Sequence, residues 1–154
     1  MRLLSVLLVA AVAIAHAQGP APMQKFDLKD SKGVRWTNAS IKKKKLVLID
    51  YWATWCVPCI AMMPTVDKVH QKFKGKGLEV LSVSIDTNKA AYAKFIKGHK
   101  FPGPVLHDDK KQFMAWGIQS IPATYLVKDG KIVAKWAGKQ DETTFTKAIE
   151  ANLK

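Results

Sequence analysis

The order of apolar runs in this chain predicts an α/β fold with a mixed central sheet and helices on both faces. Leu46–Trp52 and residues 78–85 are near-continuous apolar runs, the pattern of strands buried on both faces. A segment of helical period separates them, so the pair reads as strand, helix, parallel strand. Later, two short strand patterns flank Lys128-Asp129-Gly130-Lys131. Asp-Gly between strands is a hairpin signal and demands antiparallel pairing, so both pairing senses share the sheet.

Taken in order, Met1-Arg2 is followed by an acid-free apolar stretch from Leu3 to Ala15 and then by Ala15-His16-Ala17, a small-x-small cleavage pattern. Residues 1–17 are therefore expected to be a secretory signal peptide cut after Ala17. The apolar stretch falls short of the ~20 residues that cross a bilayer as a helix. Residues 18–24, with Gly19, Pro20 and Pro22, read as a flexible lead-in to one domain over 25–154. Lys25-Phe26-Asp27-Leu28 alternates, turns through Asp30-Ser31-Lys32-Gly33 and returns as Val34-Arg35-Trp36, an N-terminal hairpin.

The first buried strand, Leu46–Trp52, leads to a helix expected from about Cys59, with Ile60, Met63, Val66, Val69 and Phe73 on its apolar side and a stop at Gly75 and Gly77. Residues 87–100 read as a helix with Ala91, Phe95 and Ile96 inward, ended by Phe101-Pro102-Gly103-Pro104. Val105-Leu106 reads as a short extended piece and 110–116 as a helix closed by Gly117. Strands over 124–127 and 132–137 precede a last helix over 142–153, N-capped by Asp141 and burying Phe145, Ile149 and Leu153.

The chemistry lies in Trp55-Cys56-Val57-Pro58-Cys59, directly after the first buried strand. A C-x-x-C that opens a helix sets its first sulfur where free backbone N–H groups and the helix dipole favour negative charge, so a thiolate forms readily. These are the only two cysteines, and a bridge between them closes too short a loop to add much stability. A reversible dithiol explains them better than a staple. A structural zinc would need four ligands, and His70, His99 and His107 have no ligand spacing relative to the pair. No cofactor and no metal are expected beyond the disulfide itself.

Net charge is +13, nearly all from lysine, and losing Arg2 with the signal lowers it by one. Lysines spread along a chain make a solvated exterior, and an exported protein rarely meets nucleic acid, so no nucleic-acid partner is expected. The dense run at 42–45 sits just before a strand.

Val47 through Cys59, Pro64, Ile121-Pro122-Ala123-Thr124 and Asp129-Gly130 resemble the thioredoxin fold in order and spacing. The long stretch between Asp86 and Pro122, and the hairpin before the first core strand, resemble the exported TlpA/ResA-type thiol–disulfide oxidoreductases. The resemblance implies a thioredoxin-like fold with an N-terminal hairpin and a central insertion. It makes Cys56 the exposed nucleophile and Cys59 the shielded resolving thiol. Val57 and Pro58 form the active-site loop, with Pro58 restraining the turn. Trp55 covers the sulfurs and contacts incoming chains, its alternative being simple packing. Pro122 matches a cis proline beside the dithiol, leaving the Ile121 backbone free to pair with a substrate strand.

Asp50, a carboxylate in an apolar strand, should have a raised pKa; the resemblance suggests acid–base work on Cys59. Met62 stands where ResA-type reductases carry a glutamate, and Ser82 where thioredoxins carry a lysine near the buried Asp. Both departures bear on redox potential. The expectation is a monomeric enzyme, periplasmic or extracellular, reducing exported cysteine-containing proteins, for example in cytochrome c maturation or metal-site assembly. It would draw electrons from a membrane thiol donor. The alternatives are an exported disulfide oxidase, or a copper-binding thiol chaperone, since soft Cu(I) suits two thiolates.

Overall fold

A computed structural model describes residues 20–154. The expected signal peptide lies outside the described residues. Strands β1 (Ala21–Pro22), β4 (Leu46–Trp52), β5 (Leu78–Ser84), β6 (Val105–His107), β7 (Ala123–Lys128) and β8 (Lys131–Ala137) form one sheet in the order β1-β8-β7-β4-β5-β6. β2 (Asp27–Lys29) and β3 (Arg35–Thr37) make the separate N-terminal hairpin. β4 runs parallel to β5 and antiparallel to β7, so the mixed sheet and the thioredoxin-like α/β architecture are as the sequence predicts.

The two faces of β4 carry two cores. Val47, Ile49 and Tyr51 join Leu81, Val83 and Phe26 on one side. Leu46 and Leu48 pack on the other against α2 (Val57–Phe73) and α5 (Glu142–Asn152), through Met62, Val66, Val69, Phe73, Phe145 and Ile149. Each such side chain, fully withdrawn from water, contributes roughly 1.5–3 kcal/mol. A strand apolar at every position fits this double burial. Asp129 and Gly130 take left-handed φ of 53° and 74°, the geometry that closes the β7–β8 hairpin.

Several expectations need correction. Within the expected flexible lead-in, residues 21–23 are pinned: Ala21 and Pro22 pair with Ile132 and Lys131, and the Met23 N–H donates to the Gly130 carbonyl at 3.0 Å with its side chain buried. An edge position tolerates Pro22 because the missing N–H would have faced away from the sheet. A short helix, α1 (Asn38–Lys42), was not expected from the pattern. A reciprocal cap makes it: Ser40 N–H donates to Thr37 Oγ1 and Thr37 N–H to Ser40 Oγ.

α2 begins at Val57, not near Cys59, and its buried stripe is Cys59, Met62, Val66, Val69, Phe73. Met62 therefore takes the core position expected of Met63, which is only half-buried, as is Ile60. The two stripes differ by one residue at that end, a phase that periodicity alone leaves open. α3 (Lys89–Gly98) starts two residues later than expected because Asn88 caps it, accepting from the N–H groups of Ala90 and Ala91. α4 spans only Lys111–Ala115.

Candidate active site

The dithiol sits at one end of the sheet because β4 and β5 run parallel and both deliver their C-terminal ends there. The Trp52 carbonyl accepts from Ile85 N–H at 2.9 Å, so the two chains leave the sheet side by side. β4 then turns through 53–56 into α2. Cys56 N–H donates to the Ala53 carbonyl at 3.1 Å.

Cys56 is the N-cap of α2, with extended backbone, and its Sγ accepts from Cys59 N–H at 3.3 Å. The sulfur occupies the position of a capping oxygen, among helix-start donors that have no other partner. Pro58 falls in the first turn, where a missing N–H costs nothing. Cys56 and Cys59 are joined as a disulfide, their Cα atoms 5.2 Å apart. Cys56 is 4% exposed and Cys59 1%, so the first cysteine is the more open residue but is itself nearly covered in this oxidised form.

Trp55 and Val57 stand out into solvent, 62% and 76% exposed. Most of the Trp55 side chain is thus open to solvent. On the neighbouring strand Tyr51 is in register with Ala123, which brings Pro122 to the same end of the sheet. The Ile121–Pro122 bond is cis, and the Pro122 carbonyl accepts from Gly138 N–H at 2.8 Å. Among the described residues the Ile121 backbone N–H and C=O enter no hydrogen bond. They leave an unpaired backbone unit at the end of the sheet from which the Cys56–Cys59 turn departs.

Asp50 is buried in mid-strand on the same face as Leu48 and Trp52. Burial pushes its carboxyl up to about 7, opposed by the hydroxyl of Thr124, which donates to Oδ1 at 3.1 Å. With Ser82, its partner in register on β5, Asp50 lines a cavity of about 10 Å³ shared with Trp52, Met63 and Phe101. That is close to the room a single water needs. No hydrogen bond links Asp50 to either cysteine among the described residues.

Asp86 is the residue that sequence reasoning passed over. It is buried just beyond β5, and its carboxylate accepts the Thr54 N–H at 3.0 and 3.2 Å, the Thr54 hydroxyl at 2.7 Å and the Ser84 hydroxyl at 2.7 Å. The Asp86 carbonyl lies 2.6 Å from His107 Nε2. This knot clamps the turn two residues before Cys56. An acid at the end of a buried strand, with Thr-x-Cys at the end of its neighbour, is the signal that could have found it. Among the described residues no group of three or more His, Cys, Asp or Glu side chains could hold a metal ion.

A C-x-x-C disulfide at the start of α2, with a cis proline at the same end of the sheet opening the antiparallel strand, defines a thioredoxin-fold dithiol protein. Residues 20–135 match the AhpC/TSA family, and the chain belongs to it. It is similar to the thiol-disulfide oxidoreductase ResA of Bacillus cereus, 32% identical over 119 residues, which cover 76% of this chain and 62% of ResA. The chain thus spans under two thirds of that relative's length. Among solved structures it resembles a Chlorobium tepidum chain assigned as thiol:disulfide interchange protein DsbE, with TM-score 0.80, 26% identity, and 89% and 99% of the two chains covered. The exposed lipoprotein thioredoxin of Streptococcus pneumoniae follows the same course, with TM-score 0.72, 25% identity, and 83% and 99% covered. The TlpA/ResA-type resemblance seen in the sequence stands.

Proposed function

We propose that this protein is an exported thiol–disulfide oxidoreductase that reduces disulfides of other exported proteins through Cys56 and Cys59. The observation that carries the reading is the Cys56 sulfur at the N-cap of α2, receiving the Cys59 N–H. In the reduced protein the same donors and the helix dipole favour a Cys56 thiolate. That thiolate attacks one sulfur of a substrate disulfide, forms a mixed disulfide and expels the other sulfur as a thiolate, which takes a proton. Cys59, deprotonated, then attacks Cys56 Sγ, closes the Cys56–Cys59 bond and releases the substrate with two thiols. Two electrons pass from protein to substrate, and a membrane dithiol donor restores them.

Asp50 is the group available to take the Cys59 proton, because its carboxyl titrates near neutrality. The unpaired Ile121 backbone accepts an extended substrate segment, and Trp55 offers it an apolar face. The exported setting rests on the N-terminal sequence pattern and on the likeness to an exposed lipoprotein thioredoxin. Substrates whose cysteines must be free, such as those awaiting haem or metal, fit a reductase.

Cys59→Ser should accumulate mixed disulfides through Cys56, and Cys56→Ser should abolish exchange. Failure of both refutes the dithiol mechanism. Equilibration with a glutathione buffer fixes direction: a potential well below about −180 mV supports reduction, and one well above it makes the protein an oxidase.

A further inference from the structure

The dithiol chemistry leaves the chain's excess positive charge unused, and the sheet's register shows where much of it gathers. The lysines at 42–45 immediately precede β4, and Lys74 and Lys76 precede β5. β4 and β5 are parallel, with Leu46 opposite Leu78, so these two loops share one end of the sheet. β7 is antiparallel to β4, which returns Lys128 and the Lys131 side of the hairpin to that same end. The loops touch: a Cβ placed on Gly77 would meet the Lys45 side chain, and one on Gly130 would meet that of Lys42. The C-terminus joins them, since Lys128 Nζ donates to the Asn152 carbonyl at 2.6 Å.

Fewer acids than lysines gather at this pole. Glu79 pairs with Lys44 at 3.2 Å, Glu150 near the end of α5 lies 3.9 Å from Lys72, and Asp129 sits in the hairpin turn. Lys42, Lys43, Lys45, Lys76 and Lys131 form no ion pair among the described residues, and all are exposed. Cys56 lies at the opposite end, beyond the seven residues of β4, and so roughly 23 Å away.

We propose that this lysine pole docks on an anionic lipid surface and holds the protein with its dithiol facing away from the membrane. Three features select lipid over a protein partner. A substrate engaged at Cys56 is held at the far end of the sheet and leaves this pole uncovered. The pole carries lysine without arginine, and lysine is depleted at protein interfaces while arginine's fixed fork is enriched there. None of its loops contributes one of the exposed large apolar side chains, which are Val34, Trp55, Val57 and Met114 among the described residues. Compact, mobile, hydrated charges with no apolar anchor suit a diffuse layer of phosphate head groups.

Each lysine brought near such a surface strengthens binding by about fivefold at low salt, and the attraction fades within a Debye length. The test is sedimentation of the exported protein with vesicles of phosphatidylcholine, alone or mixed with phosphatidylglycerol. Binding should be at least about tenfold tighter to the anionic vesicles and lost in strong salt. The variant K42Q/K43Q/K45Q/K76Q should lose that preference while reacting normally with dithiothreitol. The equally discharged variant K89Q/K94Q/K97Q/K139Q should keep it. Cys56 in the reduced, vesicle-bound protein should react with a soluble thiol reagent as fast as in the free protein. Equal binding to both vesicle types, equal loss in both variants, or a vesicle-shielded Cys56 each overturns the proposal. Pole-dependent binding to an acidic protein without any to vesicles overturns it in favour of a protein partner.

Discussion

Replacing Asp50 by asparagine removes a buried carboxyl while keeping an oxygen that accepts the Thr124 hydroxyl. Burial raises the folded-state pKa from 3.8 to about 7. The folded protein therefore binds a proton more tightly than the unfolded chain. The stability this represents is fully present below the unfolded value and is lost as pH rises through about 7. Three units at about 1.36 kcal/mol each make it about 4 kcal/mol, and the burial of the group leaves no solvent screening to discount. Oxidised wild type should thus weaken relative to Asp50→Asn by a few kcal/mol between about pH 4 and pH 8.5. Guanidinium titrations of both proteins across that range measure it. A difference that stays flat with pH refutes a buried, titrating Asp50. The thiol-exchange rate supplies the functional half: its inflection near neutrality should vanish in the variant, and an unchanged profile removes Asp50 from proton transfer.

Three further outcomes follow from contacts already described. Asp86→Asn leaves one acceptor oxygen for the Thr54 and Ser84 donors, so it should cost roughly 2–4 kcal/mol in denaturant unfolding and shift the dithiol potential by loosening the turn before Cys56. Gly103→Ala would drive a methyl against the Val80 carbonyl oxygen, a backbone atom that cannot swing aside, and should lower stability by at least about 1–3 kcal/mol in the same assay. Trp55→Ala, at a 62% exposed position, should leave the melting temperature within a degree or two while raising KM for a protein disulfide severalfold.

The strands from β2 onward and the position of the dithiol were legible in the sequence because each carries its own local signal. Leu46–Trp52 is apolar at every position and proves buried at every position. Asp141 caps α5 as expected, its carboxylate accepting the Thr144 N–H at 2.7 Å. Helix phase and helix starts were less so. Met62 and Met63 are equivalent to a periodicity count, and only the packing of α2 against Phe145 and Ile149 selects Met62. Pinning of Ala21 and Pro22 could not be read locally either, because their partners Ile132 and Lys131 lie more than a hundred residues away.

By itself the sequence determined that a C-x-x-C follows a doubly buried strand and opens a helix, since apolar runs and a proline in the first turn act over a few neighbouring residues. Only the tertiary structure decided what is arranged around the sheet: the Asp86 clamp on Thr54, the free Ile121 backbone at the dithiol end, and the gathering of lysines at the opposite pole. Each depends on strand order and register, which bring distant residues together and which no short window of the chain encodes.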